Sequence, residues 1–237
     1  MLVARGLFDS RARARAAIEA GGVFANGRRV DRPSELLSDD AALEATPAYP
    51  WVGRGALKLV HALALWPIEV SGRVALDVGA STGGFTEVCL ARGATRVFAV
   101  DVGQGQLHAS LRADGRVLNL EATDARSLTR ELITEPPGLI VSDVSFIGLA
   151  KALPAALSLA SRGADLVALV KPQFEVGPGK VGKRGIVTDP TAREQALAGV
   201  VDFLAASGWI VQATTDSPIT GGDGNREYLL WATREGD

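Results

Sequence analysis

From residue 53 onward, short β-branched apolar runs alternate with helical stretches, the pattern of an open parallel α/β sheet. The runs that read as strands are 73–78, 96–102, 116–120, 139–142, 166–170, 209–214 and 227–232. No helix fits between the last two, because residues 217–225 are rich in Gly, Pro and Asp. A hairpin therefore closes the sheet and makes its final strand antiparallel. Asp189 followed by Pro190 supplies an N-cap and a favoured first helical residue for a helix running to about Ser207. Residues 1–45 follow another pattern. Ser10 is placed to cap a short helix over 11–20, closed by Gly21-Gly22. The runs 23–25 and 28–30 flank Asn26-Gly27, a dipeptide that tolerates the positive φ angles of a type I′ hairpin turn. Residues 46–52 carry two prolines and no periodicity, which suits a semi-rigid linker. The expected organisation is a small α+β module over 1–45, a linker over 46–52 and an α/β domain over 53–237.

Composition narrows the class. With 47% of its 237 residues hydrophobic and 22% charged, the chain can bury a real core, which argues against disorder. Cys89 is the only cysteine, so no internal disulfide and no Cys/His zinc cluster can form, and a reducing cytoplasm fits best. No stretch approaches the ~18 apolar residues of a membrane span, so no membrane association is expected. The net charge of −2 hides an asymmetry. Residues 1–32 carry seven arginines against Asp9, Glu19 and Asp31, a local +4 that leaves −6 for the remainder. Such a basic module is read equally well as a nucleic-acid-binding segment or as a solvated surface. Arg11 and Arg15 share a helix face while Arg13 lies about 200° away. Arg28 and Arg29 point to opposite faces of a strand.

The first strand of the large domain runs into Asp77-Val78-Gly79-Ala80-Ser81-Thr82-Gly83-Gly84-Phe85, and a helix follows at once. Small residues let the backbone approach a ligand, and helix N-terminal amides face whatever binds. Asp101, 24 residues on from Asp77, closes the second strand, where a carboxylate can accept both ribose hydroxyls of a nucleoside. Asp124, after the third, is placed to read an adenine amino group. An acid on the first strand repels a pyrophosphate but welcomes a cationic amino-acid moiety, which points to S-adenosylmethionine (SAM). The expected cofactor contacts are Asp77, Gly79, Ala80, Ser81, Gly83, Gly84 and Phe85 on the loop. Asp101, Val102, Asp124, Ala125 and Asp143 complete them after the next three strands.

Four charged residues stand in apolar or Gly-rich settings: Lys58, Asp143, Lys171 and Glu227. Burying them is costly unless they pair, and Asp143 and Lys171 close the fourth and fifth strands, the edge where open α/β sheets place ligands. A Lys-Asp-Lys-Glu set suits ribose methylation, in which a poorly nucleophilic 2′-hydroxyl must be oriented and relieved of its proton. Either lysine can be the base and the other the orienting group.

Several stretches in order carry a resemblance: residues 77–86, Val-Asp-Val-Gly-Gln-Gly-Gln-Leu, Val-Lys-Pro-Gln-Phe-Glu, Gly-Ile-Val-Thr-Asp-Pro, and Ser-Pro-Ile through Gly-Asn-Arg-Glu-Tyr-Leu-Leu-Trp. Over nearly its whole length the chain resembles the TlyA family of ribosomal-RNA cytidine 2′-O-methyltransferases, often labelled haemolysins. The resemblance implies a class I, Rossmann-like, FtsJ-like SAM-dependent domain with a seven-stranded sheet, behind an S4-type RNA-binding module. It implies that Lys58, Asp143, Lys171 and Glu227 match a catalytic tetrad and that Phe146 matches an aromatic residue near the cofactor. The candidate RNA contacts are Arg5, Ser10, Arg11, Arg15, Arg28 and Arg29, then Arg54, then Lys180, Lys183 and Arg184 in a basic loop that either touches phosphates or is merely solvated. The partner implied is ribosomal RNA or a ribosomal subunit, with no obligate protein partner.

Three departures stand out: a first S4 helix that is either shortened or cut by a start codon assigned too late, Gly53 where Ser is common, and Arg184 where Gly is usual. The short termini favour large-subunit (23S) over small-subunit (16S) RNA. A base methyltransferase would need a nucleophilic cysteine or an Asn-Pro-Pro-Tyr-like pocket, and a dinucleotide oxidoreductase leaves the two lysines unexplained. The alternative from another class is a nonenzymatic RNA-binding or membrane-lytic protein, which leaves the four charged residues without a role.

Overall fold

The structure is a computed structural model describing residues 1–236, the side chains of Pro178 and Lys183 excepted. The expectation for Lys183 as an RNA contact therefore lies outside the described residues. The chain divides into two compact units, Met1–Pro50 and Trp51–Asp237.

In the first unit Ser10 caps helix α1 (Arg11–Glu19), its Oγ accepting the Arg13 N–H at 3.3 Å. The buried face of α1, Ala14, Ala17 and Ile18, packs with Leu2, Phe8, Val23, Ala25 and Val30 into a small core. Strands β1 (Val23–Ala25) and β2 (Arg28–Arg29) pair antiparallel across Asn26 (φ 49°) and Gly27 (φ 76°), the two left-handed positions of a type I′ turn. A third strand, β3 (Leu43–Ala45), pairs with the other edge of β1 and was not anticipated. Three residues carry too little periodicity to announce a strand. Asn26 helps set its register, because its Oδ1 accepts the Ala42 N–H at 2.8 Å. The residues expected to form the linker are shared out. Thr46 donates its N–H to Gly22 O within the first unit, while Trp51 and Val52 pack on the core of the second.

The second unit contains α2 (Ala56–Leu65), β4 (Val74–Val78), α3 (Gly84–Ala91), β5 (Arg96–Val100), α4 (Ala109–Arg112), β6 (Val117–Leu120) and β7 (Leu139–Ser142). It continues through α5 (Leu149–Ala152), α6 (Pro154–Leu159), β8 (Asp165–Val170), α7 (Pro172–Glu175), α8 (Pro190–Ala206), β9 (Trp209–Asp216) and β10 (Tyr228–Arg234). All seven anticipated strands are present, with ends displaced by up to two residues. Their order is β6-β5-β4-β7-β8-β10-β9, parallel from β6 to β8, with β10 antiparallel between β8 and β9. Apolar residues fill both faces, as a sheet covered on both sides requires. Leu76, Val78, Phe98 and Ile140 pack with α6 and α8 on one side, and Ala75, Val97, Leu139 and Val141 with α2 and α3 on the other. Asp189 caps α8 through the Thr191 N–H at 3.0 Å, with Pro190 at the first helical position.

Candidate active site

The carboxyl ends of β4, β5 and β7 open onto a cavity of about 520 Å³, within the usual range for a small-molecule site. Its walls include Gly79, Ser81, Asp101, Val102, Asp124, Ala125, Asp143 and Phe146. Two of these glycine-loop positions explain their sequence. Gly79 has φ 87°, and a Cβ there would stand 3.1 Å from the Val144 backbone, so the loop passes the β7 end at contact distance. Ser81 (φ 49°) donates its N–H to Asp101 Oδ2 at 2.8 Å, while Asp101 Oδ1 accepts the Gly103 N–H at 2.7 Å. Asp101 thus sets the loop and still offers lone pairs to a ligand hydroxyl. Asp124 caps a short turn and is held by Arg126, whose guanidinium and backbone N–H keep its carboxyl down at about 2. Three carboxylates on one cavity wall suit a cationic ligand with a nucleoside.

A second cleft, about 220 Å³, shares Gly79, Ser81, Asp143 and Ser145 with the first. It is lined further by Arg54, Ala80, Gly84, Phe85 and Lys171. Phe146 lines the first cavity with φ 66° and 91% exposure, its ring 5.3 Å from that of Phe174, so it is no core residue.

Of the expected cofactor contacts, Ala80, Gly84 and Phe85 line the smaller cleft and not the larger cavity, and Asp77 and Gly83 line neither. Asp77 lines neither cavity: strand alternation turns it to the face covered by α3, where it is fully buried. Its Oδ2 accepts the Thr86 hydroxyl at 2.7 Å and its Oδ1 has no hydrogen-bond partner among the described residues. Burial pushes its carboxyl up to about 7, against the opposing bonds from Thr86. Gly83 also lines neither; at φ 95° it clears the side chains of Leu107 and Leu111. Cys89 is buried in α3, and burial pushes its thiol up.

The four charged residues come together. Lys58 on α2 donates to Glu227 Oε2 at 2.7 Å and to Asp143 Oδ2 at 3.3 Å. Lys171, just past β8, lies 2.6 Å from Asp143 Oδ1 and donates to Ser145 Oγ at 2.8 Å. Glu227, Lys58, Asp143 and Lys171 therefore form a line of alternating charge, with side chains no more than 19% exposed. Each charge has an opposite neighbour, which is how four of them tolerate burial. Ser145 belongs to this cluster and was missed, since a serine beside Asp143 carries no periodic or charge signal.

The basic positions are exposed and mostly paired. Arg15 meets Glu19 at 2.7 Å, Arg29 meets Asp31 at 3.2 Å, and Arg28 meets Glu35. Surface pairs of this kind are weak, so exchange for a phosphate costs little. Arg5 instead donates to the Ala41 and Asp39 carbonyls, and Ser10 is the α1 cap, so both have structural work. Arg54 donates to Thr220 O at 2.6 Å, Lys180 to Gln195 Oε1 at 2.6 Å, and Arg184 is exposed with φ 70°.

The strand order, the Gly-rich turn after β4 and the acids after β5 and β6 define a class I methyltransferase, an enzyme that takes its methyl group from SAM. Residues 51–234 match the FtsJ-like methyltransferase family and residues 1–42 match the S4 domain. The chain belongs to the FtsJ-like methyltransferases, in the branch that includes the TlyA proteins. It is 50% identical to the 16S/23S rRNA (cytidine-2′-O)-methyltransferase TlyA of Mycobacterium tuberculosis, over 100% of this chain and 89% of that one. It is 37% identical to the 23S rRNA (cytidine-2′-O)-methyltransferase TlyA of Campylobacter jejuni, over 84% and 77%. A solved structure named as a hemolysin from Streptococcus thermophilus superposes with a TM-score of 0.80 at 39% identity, covering 99% of this chain and 86% of that one. No helix among the described residues is long and apolar enough to cross a membrane.

Proposed function

We propose that this chain methylates the 2′-hydroxyl of a cytidine ribose in ribosomal RNA, with large-subunit RNA as its first substrate, in the cytoplasm where ribosomes are assembled. The observation that carries the reading is the buried Glu227–Lys58–Asp143–Lys171 line, in which Asp143 lines both cavities and Lys171 the smaller one. The names of both relatives include 23S RNA, which supports the large subunit.

SAM, when bound, supplies an electrophilic methyl group on a sulfonium. The residues that would hold it are those of the larger cavity, with Asp101 and Asp124 toward its nucleoside. Lys58 donates to two carboxylates at once and so fixes Asp143 and Glu227. Lys171 has one carboxylate oxygen, the Asp143 carbonyl at 3.4 Å and a rotatable hydroxyl beside it, and unlike Lys58 it lines the smaller cleft. On this reading the ribose enters the smaller cleft, Lys58 and Asp143 orient its hydroxyl, and Lys171, once its ammonium has given up a proton to solvent, takes the hydroxyl proton at Nζ. The exposed arginines of the first unit and the basic loop 180–185 bind phosphates, a contribution that weakens steeply with salt.

The test is transfer of a labelled methyl group to unmodified large subunits, small subunits and their naked RNAs. Label in large-subunit RNA at one alkali-resistant site is expected, with Lys171→Ala slowed by about 100-fold or more. Label on a base, or an unaffected Lys171→Ala rate, would overturn the reading.

A further inference from the structure

Two of the motifs in the chain, Gly-Ile-Val-Thr-Asp-Pro at 185–190 and Gly-Asn-Arg-Glu at 224–227, carry more residues than the chemistry uses. They meet at Asn225. This side chain is 1% exposed and lies two residues before Glu227. Its Oδ1 accepts the Val187 N–H at 3.0 Å and its Nδ2 donates to the Gly185 carbonyl at 2.9 Å. Its own carbonyl accepts the Gly221 N–H at 2.9 Å, closing the turn that precedes Glu227.

On the other side the loop is folded on itself. Gly185 donates its N–H to Gly182 O at 3.1 Å, and Gly182 donates to Ile186 O at 3.0 Å. Between them Arg184 holds φ 70°, ψ 18°, a conformation that costs a side chain other than glycine and persists only where neighbours enforce it. The neighbours that hold it are the two Gly182 bonds across the turn and the Asn225 amide, bonded to the next residue. Only an amide presents a donor and an acceptor side by side. A carboxylate would face the Gly185 carbonyl, and an apolar side chain would leave the N–H of the buried Val187 unpaired.

We infer that Asn225 is a positioning residue that fastens the basic loop carrying Lys180 and Arg184 to the strand entry carrying Glu227, and thereby sets where RNA phosphates engage relative to the catalytic line. The inference rests on the ribose-methylation reading for its substrate, though not for its geometry. Asn225 lines neither of the two cavities, and its side-chain hydrogen bonds go to the loop backbone and not to any of the four charged side chains. Its loss therefore acts on RNA engagement, and the strain at Arg184 is what the fold accepts for holding a cation at that turn.

The experiment uses the full chain and labelled SAM on unmodified large subunits. Asn225→Asp keeps the acceptor for Val187 and loses the donor. It is expected to raise KM for the subunit about tenfold, with kcat and the SAM Kd changed by less than about threefold. Arg184→Gly relaxes the backbone and removes the cation, and is expected to raise the same KM. Because both act through the loop, the double variant is expected to be no worse than about the weaker single variant. A fall in kcat and Tm with KM unchanged, or multiplicative effects in the double variant, would overturn the proposal. Limited trypsin digestion reads the fastener without activity: Asn225→Asp is expected to be cut at Lys180 or Arg184 about tenfold faster than the wild type. Unchanged cleavage refutes the fastener, whereas absent methyl transfer with faster cleavage refutes only the substrate reading.

Discussion

Asp77 offers the sharpest physical test. Its carboxyl sits under α3 with no exposure, bonded by the Thr86 hydroxyl at Oδ2 and steadied by the Thr86 backbone, with an Oδ1 that has no hydrogen-bond partner among the described residues. Burial, reinforced by the nearby Asp143 and Asp101 charges, raises it from 3.8 to about 7. The folded state therefore holds this proton more tightly than the unfolded chain does. Between pH 3.8 and about 7 the native state binds more protons, so stability falls as pH rises through that window, and the loss is complete above it. Each tenfold change is worth about 1.4 kcal/mol, which makes the total roughly 4 kcal/mol. Asp77→Asn is neutral at every pH and keeps the acceptor for Thr86. Its NH2 group replaces the unpartnered oxygen, a pH-independent cost of about 1–3 kcal/mol. The variant should thus be the less stable protein near pH 4 and the more stable one near pH 8. Urea denaturation of both proteins across that range, without SAM, measures the difference, and groups titrating elsewhere cancel in it. A difference flat to within about 1 kcal/mol would refute the reasoning, because Asp77 would then ionise as an ordinary carboxylate.

The remaining predictions concern the loop and its ligand. Asp101→Ala removes two charge-assisted bonds to loop amides and a cavity-wall carboxylate, and should weaken SAM binding by about 10- to 100-fold in calorimetry. An unchanged Kd would remove Asp101 from the cofactor site. Gly83→Ala places a Cβ 2.2 Å from Leu111 Cδ1 at φ 95°, so a loss of about 2–4 kcal/mol is expected in urea denaturation. A loss below about 0.5 kcal/mol would mean that α4 yields freely.

Local patterns wrote much of this protein into its sequence. The β-branched runs marked all seven strands of the large sheet. Asn26-Gly27 marked the hairpin, and Ser10 and Asp189 marked helix starts, because turn chemistry and capping depend on adjacent residues. The acids after successive strands were legible for the same reason, since a strand's end is a local event. Strand alternation likewise put Asp77 opposite Leu76 and Val78, but which face α3 would cover was decided only when the sheet was packed. The three-residue β3 had no signal of its own and exists through its pairing with β1. Lys58 and Glu227 stood out as odd charges, yet they are 169 residues apart in sequence, and only the insertion of β10 beside β8 brings them within 2.7 Å. Ser145 and Asn225 show the limit most clearly. Short polar side chains have no periodicity and no net charge, so their roles are set entirely by which backbone or side-chain groups the tertiary fold carries to them.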